Sequence, residues 1–330
     1  MSDRGFGAAR RGLCVIGLGL LAACSLRPTE QDYVAYQVAL RAMGDLRTER
    51  SPLDAPYDRQ DLIRNFERIA LRHEADASVP ASEANWQPNG LMRWEGPLNY
   101  RLVGSAVTDE DRTEVRQLMR LVARLTGLEV TEADRDLNFL ILITTPPERE
   151  FYAEQLGQLN PALEATFDFW RRTSSVICVA NNLFSGSDSN RIVAGLVAIG
   201  SETTGLLRKA CLHEEIVQAL GLANDHPEVR PSIFNDDSEF ALLTEHDEHL
   251  LRILYDRRLR PGMTADEAIP LVRRIVAGMD VPSAIRTASL PAAAGAIGSA
   301  AAQPAYRAAI NAETSAAGPI SGAAVGDPSN

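Results

Sequence analysis

The sequence predicts an α+β fold from the order of its hydrophobic patterns. Short strand-like runs and helices come first, a long central helix follows, and helices dominate the C-terminal half. Of the 330 residues, 45% are hydrophobic, which suffices for one large domain or two small ones with a core. The net charge of −11, without a basic stripe, argues against a nucleic-acid partner.

The N-terminal part is predicted to contain two helices and a strand. A short helix is expected over Glu30–Met43, and a second begins after Asp58, a suitable N-cap residue. Helical spacing of apolar residues continues to Glu74. This places His73 in the last turn, where a cation suits the helix dipole. The run Leu98–Val103 is strand-like.

The central elements follow from capping residues and apolar runs. Thr108 is expected to cap a helix through Leu125, with Gly127 just past its end. The continuous apolar run Phe139–Thr144 predicts a buried strand. The segment Glu148–Trp170 is predicted to be mostly helical.

Two further strands and three helices complete the predicted fold. The strands are expected at Val176–Ala180 and Arg191–Ile199. The helices are expected at Thr204–Leu220, at Glu245–Tyr255 and after Thr264, which is the first residue of a capping box.

The first residues have the layout of a secretory signal. A positively charged start precedes the apolar run Gly12–Ala23. Leu21-Ala22-Ala23-Cys24 then resembles the lipobox of bacterial lipoproteins, which are cut before the cysteine and lipidated on it. The resemblance implies a chain anchored in a membrane through Cys24. Ser25, in place of aspartate, implies the outer membrane of the bacterial cell envelope, facing the periplasm.

Two cysteines remain in the mature chain after removal of the signal and lipidation of Cys24. Cys178 and Cys211 form an even pair in an oxidising compartment, which predicts a disulfide. Two buried free thiols are the alternative, because the sequence does not give the distance between the two Cα atoms.

The chain divides into four expected segments. Residues 1–23 are the signal peptide, 24–80 an N-terminal helical segment and 81–285 the α+β domain. Residues 286–330 are rich in alanine, glycine, serine and proline and carry few charges. This tail is expected to be disordered because it cannot bury a core.

One segment carries a recognisable motif. Glu214-Glu215-Ile-Val-Gln218-Ala-Leu-Gly221-Leu-Ala-Asn224 resembles the metzincin zinc helix His-Glu-x-x-His-x-x-Gly-x-x-His. Glu214, Gln218 and Asn224 occupy the ligand positions, and Glu215 occupies that of the general base. The resemblance implies a zincin-like (metzincin-like) domain with a small mixed sheet.

Downstream residues extend the resemblance. Ser232-Ile-Phe-Asn-Asp236 falls where metzincins place their Met-turn, with Phe234 in place of methionine. The stretch from Glu214 to Met263 also resembles the bacterial domain-of-unknown-function family 2927, which contains lipoproteins and has no assigned activity.

Two functions follow from these resemblances. The first is a lipid-anchored envelope protein whose degenerate domain is non-catalytic or atypical and binds or scaffolds an envelope protein or peptide. The second is an envelope metallopeptidase with Glu215 as general base. Its divalent metal would be held by an oxygen-rich set: Glu214, Gln218 and one of Asn224, Asp225 or His226. Zinc prefers histidine and cysteine, so the residues favour the first function.

Two more histidines leave a choice open. His246 and His249 lie three residues apart on a predicted helix, with Asp247 between them. They could form a metal-binding pair, but the surrounding acidic residues favour a solvated, charged face.

Overall fold

The computed structural model describes residues 28–74, 86–88, 90–173, 176–186, 188–235 and 238–281. The predicted signal peptide, Cys24 and the tail from residue 286 lie outside the described residues. None of the described helices is long and apolar enough to cross a membrane.

The described residues form eight helices and eight strands. The helices are α1 Glu30–Met43, α2 Arg59–Ala70, α3 Asp109–Thr126, α4 Pro146–Leu159, α5 Pro161–Arg172, α6 Gly205–Gln218, α7 Glu245–Leu254 and α8 Ala265–Ala277. The strands are β1 Arg72–Glu74, β2 Trp86–Pro88, β3 Arg93–Trp94, β4 Leu98–Val103, β5 Val130–Glu132, β6 Phe139–Thr144, β7 Cys178–Ser185 and β8 Asp188–Gly200.

Most helices begin at a side chain that satisfies free backbone amides. Six of the eight described helices, α1, α2, α3, α4, α7 and α8, start with a capping box in which the N-cap and the third helical residue bond reciprocally. Gly44 and Gly127 end α1 and α3 in the left-handed conformation. These local signals explain why the sequence located these helices closely.

A mixed sheet organises the rest of the chain. Strands β5, β4, β6 and β8 lie side by side in this order and run parallel, and β3 also pairs in parallel with β8. Strand β7 runs antiparallel to β8 and makes a hairpin with it. The fold is therefore a mixed α/β arrangement of a largely parallel sheet and helices.

The two faces of the sheet are covered by different helices. Ile141, Ile143 and Val197 point into the large core formed with α2, α3, α6, α7 and α8. The alternate residues Leu142 and Leu196 pack against the cluster that includes α4 and α5. The alternation follows from the two-residue period of a strand, and burial on both faces explains the continuous apolar runs of β6 and β8.

One prediction about a helical segment is confirmed and another is wrong. The segment Glu148–Trp170 is mostly helical, as expected, and is divided into two helices because Asn160 ends α4 and caps α5, and Pro161 begins α5. Helix α2 ends at Ala70, so His73 lies in β1 opposite Gln87 and not in a last helical turn.

The predicted disulfide is confirmed. Cys178 and Cys211 are bonded, and their Cα atoms are 6.0 Å apart. The bond joins the start of β7 to the middle of α6.

Removing this bond tests its contribution to stability. We expect Cys178→Ala with Cys211→Ala to lower the free energy of unfolding by about 3–4 kcal/mol, because a bridge between residues 33 apart restricts the unfolded chain. Urea unfolding of an unlipidated Cys24→Ser chain, with and without reductant, measures the change. Reductant should destabilise the Cys24→Ser chain and leave the variant unchanged. An equal stability of the oxidised and reduced Cys24→Ser chain would contradict the expectation.

Candidate functional site

Helix α6, which carries Glu214, Glu215 and Gln218, is fixed first at its beginning. Arg208 donates hydrogen bonds to the carbonyl oxygens of Thr203 and Ser201, at 2.7 and 2.9 Å. Its third contact is an ion pair of 3.0 Å with Asp111 in α3, and both side chains are buried. Because a buried charge is stable only when paired, this contact fixes α6 against α3.

The middle of α6 is fixed by His213. Its Nδ1 accepts a hydrogen bond of 3.2 Å from the backbone N–H of Leu243, which leaves Nε2 as the protonated nitrogen of the neutral ring. Nε2 lies 3.0 Å from Oε1 of Glu114, and this bond lowers the pKa of the Glu114 carboxyl. His213 therefore holds α6 to α3 and to the segment before α7.

The end of α6 turns sharply at Gly221. This residue has a φ of +111°, and a Cβ there would lie 2.1 Å from the carbonyl oxygen of Met92. The two preceding carbonyls, of Ala219 and Leu220, accept bonds from Trp94 Nε1 at 2.9 Å and from the Tyr255 hydroxyl at 2.8 Å. The turn is thus held by β3 and by the residue after α7, and only glycine fits it.

A pocket of about 300 Å³ opens beside this turn. Its lining combines apolar side chains with three amides: Met92, Ala162, Ala180, Asn181, Asn182, Phe184, Gln218 and Ala223. Four of these residues belong to β7, and Asn181 points to the opposite face of the strand from its neighbours. The pocket therefore runs along the edge of β7, where residues from both faces of the strand can line it.

Two of the three amide side chains at the pocket make hydrogen bonds within the protein. Asn181 donates to the hydroxyl of Thr166 in α5. Gln218 Nε2 lies 3.1 Å from each carboxylate oxygen of Asp225. Asn182 Oδ1 is buried without a hydrogen-bond partner among the described residues, which is costly unless a ligand or water supplies a donor.

Glu215 lies on the buried side of α6. Its side chain is 7% exposed, and burial, followed by the negative charge of Asp225, raises the pKa of the carboxyl to about 8. The protonated form of Glu215 is therefore favoured at neutral pH. A general base would have to be ionised.

The structure brings some of the predicted site residues together and separates others. Asp225 accepts hydrogen bonds from Gln218, and its negative charge acts on Glu215. Asn224, in contrast, is buried and donates a bond of 2.8 Å to the carbonyl oxygen of Arg68, next to the end of α2. Glu214 is half-buried on α6.

His226 has a structural role in the loop that follows the turn. Its ring Nδ1 accepts a hydrogen bond of 3.1 Å from the backbone N–H of Glu228. The backbone N–H of His226 donates to the carbonyl oxygen of Phe234 at 2.9 Å. Within the described ranges, no three His, Cys, Asp or Glu side chains are grouped as a metal site requires.

The solvated face expected for His246 and His249 is wrong, because both side chains are buried. His246 Nε2 lies 2.9 Å from Asn65 Nδ2, and His249 Nδ1 lies 3.0 Å from the Tyr57 hydroxyl. These contacts join α7 to α2 and to the loop before it. The acidic neighbours also make contacts within the protein. Asp247 completes the capping box of α7, and Glu248 forms an ion pair with an arginine outside the helix.

The pocket residues on β7 were not predicted from the sequence. A signal was present, because two consecutive asparagines are unusual within an otherwise apolar strand. Ala162 and Met92 carry no such signal and reach the pocket only through the packing of α5 and β3.

Comparison with known proteins identifies one relationship. Residues 59–274, more than half of the chain, match a family described as protein of unknown function (DUF2927). The chain belongs to this family. No curated protein and no solved structure matches it.

The DUF2927 region begins at the first residue of α2 and ends within α8. It therefore includes the whole sheet, α6, the Gly221 turn and every residue that lines the pocket. Helix α1 precedes the matched region.

The charge state of Glu215 can be tested through the pH dependence of stability. A carboxyl with a raised folded-state pKa keeps a proton that the unfolded chain releases, so its contribution to stability is lost between pH 4.5 and about 8. Glu215→Gln mimics the protonated acid. We expect it to be more stable than the native chain at pH 8, by more than about 1 kcal/mol, with a difference that shrinks toward pH 4.5.

Urea unfolding at a series of pH values measures this difference. Glu114→Gln is the matched control, because the pKa of Glu114 is lowered and its removal should cost more stability at pH 8 than at low pH. Parallel pH profiles for the native chain and Glu215→Gln would contradict the expectation.

Proposed function

We propose that this DUF2927 protein is a lipid-anchored protein of the bacterial cell envelope, and that its domain binds an extended polypeptide segment. The observation that carries the proposal is the pocket along β7, beside the end of α6. The lipobox at Cys24 supports the anchor, and Ser25 supports an outer-membrane location facing the periplasm.

The edge of β7 suits an extended peptide. Among the described strands, only β8 pairs with β7, so its other edge carries backbone groups that a peptide strand can pair with. The amide side chains of Asn181, Asn182 and Gln218 offer both donors and acceptors along this edge. Phe184 and Met92 add apolar surface for a side chain of the bound segment.

A zincin-like origin of the domain is part of the proposal. It is supported by the single antiparallel strand next to β8, by the helix α6 that follows β8, and by the glycine turn at the end of that helix. The amides that replace histidines do not fit zinc, since Asn224 is bonded to a backbone carbonyl and Gln218 to Asp225. We therefore propose that the domain binds peptides without cleaving them through a zinc ion.

The alternative is an envelope metallopeptidase. One observation favours it: Gln218, at a ligand position of the motif, lines an open pocket next to Asp225. The protonated state of buried Glu215 weighs against it.

Peptide selection against a variant with a blocked pocket tests the proposal. Peptides of random sequence, displayed on phage, are selected on the unlipidated Cys24→Ser chain, and the affinities of the enriched peptides are then measured. Ala223 is exposed and lines the pocket, so Ala223→Arg should fill it without disturbing the core. We expect at least about a tenfold loss of affinity, since the arginine takes the volume of the peptide.

Ala165→Arg is the matched control. Ala165 is an exposed alanine on α5 outside the pocket lining, so this variant should keep the native affinity. Failure to enrich any peptide, or equal binding to all three chains, would refute the proposal. Stoichiometric metal that is lost in Glu214→Ala, together with cleavage of the selected peptides, would establish the metallopeptidase instead.

A further inference from the structure

Helix α1 is apolar on two opposite sides. Its inner side packs through Tyr33 and Leu40 against Leu207 in α6 and Ala241. Its outer side is also apolar, although it faces solvent: Val34 is 42% exposed, Val38 62% and Met43 44%. Three alanines between them, Ala35, Ala39 and Ala42, are exposed as well. Exposed apolar residues grouped on one side of a helix mark a surface that a second apolar surface can cover.

The charged residues of α1 lie in its first and last turns, at either end of this outer side. The helix contains three charged residues, Glu30, Asp32 and Arg41. Asp32 is committed to the capping box, where its carboxylate accepts bonds of 2.7 Å from both the N–H and the hydroxyl of Thr29. Arg41 lies at the other end, three residues after Val38, where a long side chain can reach away from an apolar surface.

The position of α1 in the chain indicates what covers it. Glu30 follows Cys24 by six residues, and a fully extended chain of that length spans at most about 22 Å. A lipid on Cys24 therefore holds the first turn of α1 close to the bilayer surface. A soluble protein partner would compete with the membrane for the outer side of α1, and the lipid anchor keeps the membrane next to this side.

We propose that α1 lies on the membrane surface, with Val34 and Val38 against the boundary between headgroups and acyl chains and Arg41 at the lipid phosphates. The proposal rests on the lipid anchor at Cys24 proposed above. It adds that the domain has a fixed orientation on the membrane and is not free on a flexible tether.

This orientation sets the height of the pocket. Gln37 in α1 accepts a hydrogen bond of 2.8 Å from the N–H of Leu207, in the first turn of α6. The pocket residue Gln218 is eleven residues further along α6, about 16 Å at 1.5 Å per residue. A segment bound at β7 would thus lie near the membrane surface.

Fluorescence quenching of the lipidated chain tests this contact. Val38→Cys carries an environment-sensitive fluorophore, and the mature lipoprotein is reconstituted into vesicles of phosphatidylethanolamine and phosphatidylglycerol with nitroxide-labelled lipid. Phe151→Cys on α4 is the matched control, because Phe151 is 56% exposed and Val38 is 62% exposed. We expect several-fold stronger quenching at position 38, and its loss when Val34→Glu is added.

The outcomes separate this proposal from the lipid anchor. Chains that float with the vesicles but are quenched equally at both positions would overturn the docking of α1 and leave the anchor intact. Chains that do not float would overturn the anchor and the docking with it. A blue-shifted label at position 38 that lipid nitroxides do not quench would indicate a protein partner and would overturn the docking.

Discussion

The turn at Gly221 is the constraint on which the candidate site depends. Its φ of +111° and the approach of Met92 O make glycine necessary, and the carbonyls of Ala219 and Leu220 accept hydrogen bonds from Trp94 and Tyr255. Since the chain reverses there, Gln218 and Asp225, seven residues apart, come within hydrogen-bond distance. Without the turn, α6 would run on past β7 and the pocket would lose one wall.

In this arrangement the polar side chains of α6 have different roles. His213 and Arg208 face α3 and fix the helix, while Gln218 faces the pocket. Glu215 is enclosed near Asp225, and burial, followed by the negative charge of Asp225, raises the pKa of the Glu215 carboxyl. The disulfide joins this helix to β7, so both walls of the pocket are covalently linked.

The sequence predicts the parts of this fold that local signals determine. Capping residues located α3, the continuous apolar run located β6, and the oxidising compartment predicted the Cys178–Cys211 bond. It did not predict the burial of His246 and His249, because their partners Asn65 and Tyr57 are 181 and 192 residues away in the chain. The pocket was missed for the same reason: α5, β3, β7 and α6 meet only in the folded chain.

The most direct measurement of the role of the turn compares two glycines in the same left-handed region. A Cβ at Gly221 meets Met92 O at 2.1 Å, whereas a Cβ at Gly127, with a φ of +73°, has no atom within 4 Å. Urea unfolding should show a loss of about 1 kcal/mol for Gly127→Ala, from backbone strain alone, and of more than about 3 kcal/mol for Gly221→Ala, together with lost peptide binding. Equal losses for the two variants, or a Gly221→Ala chain that keeps its stability and its peptide affinity, would contradict this account.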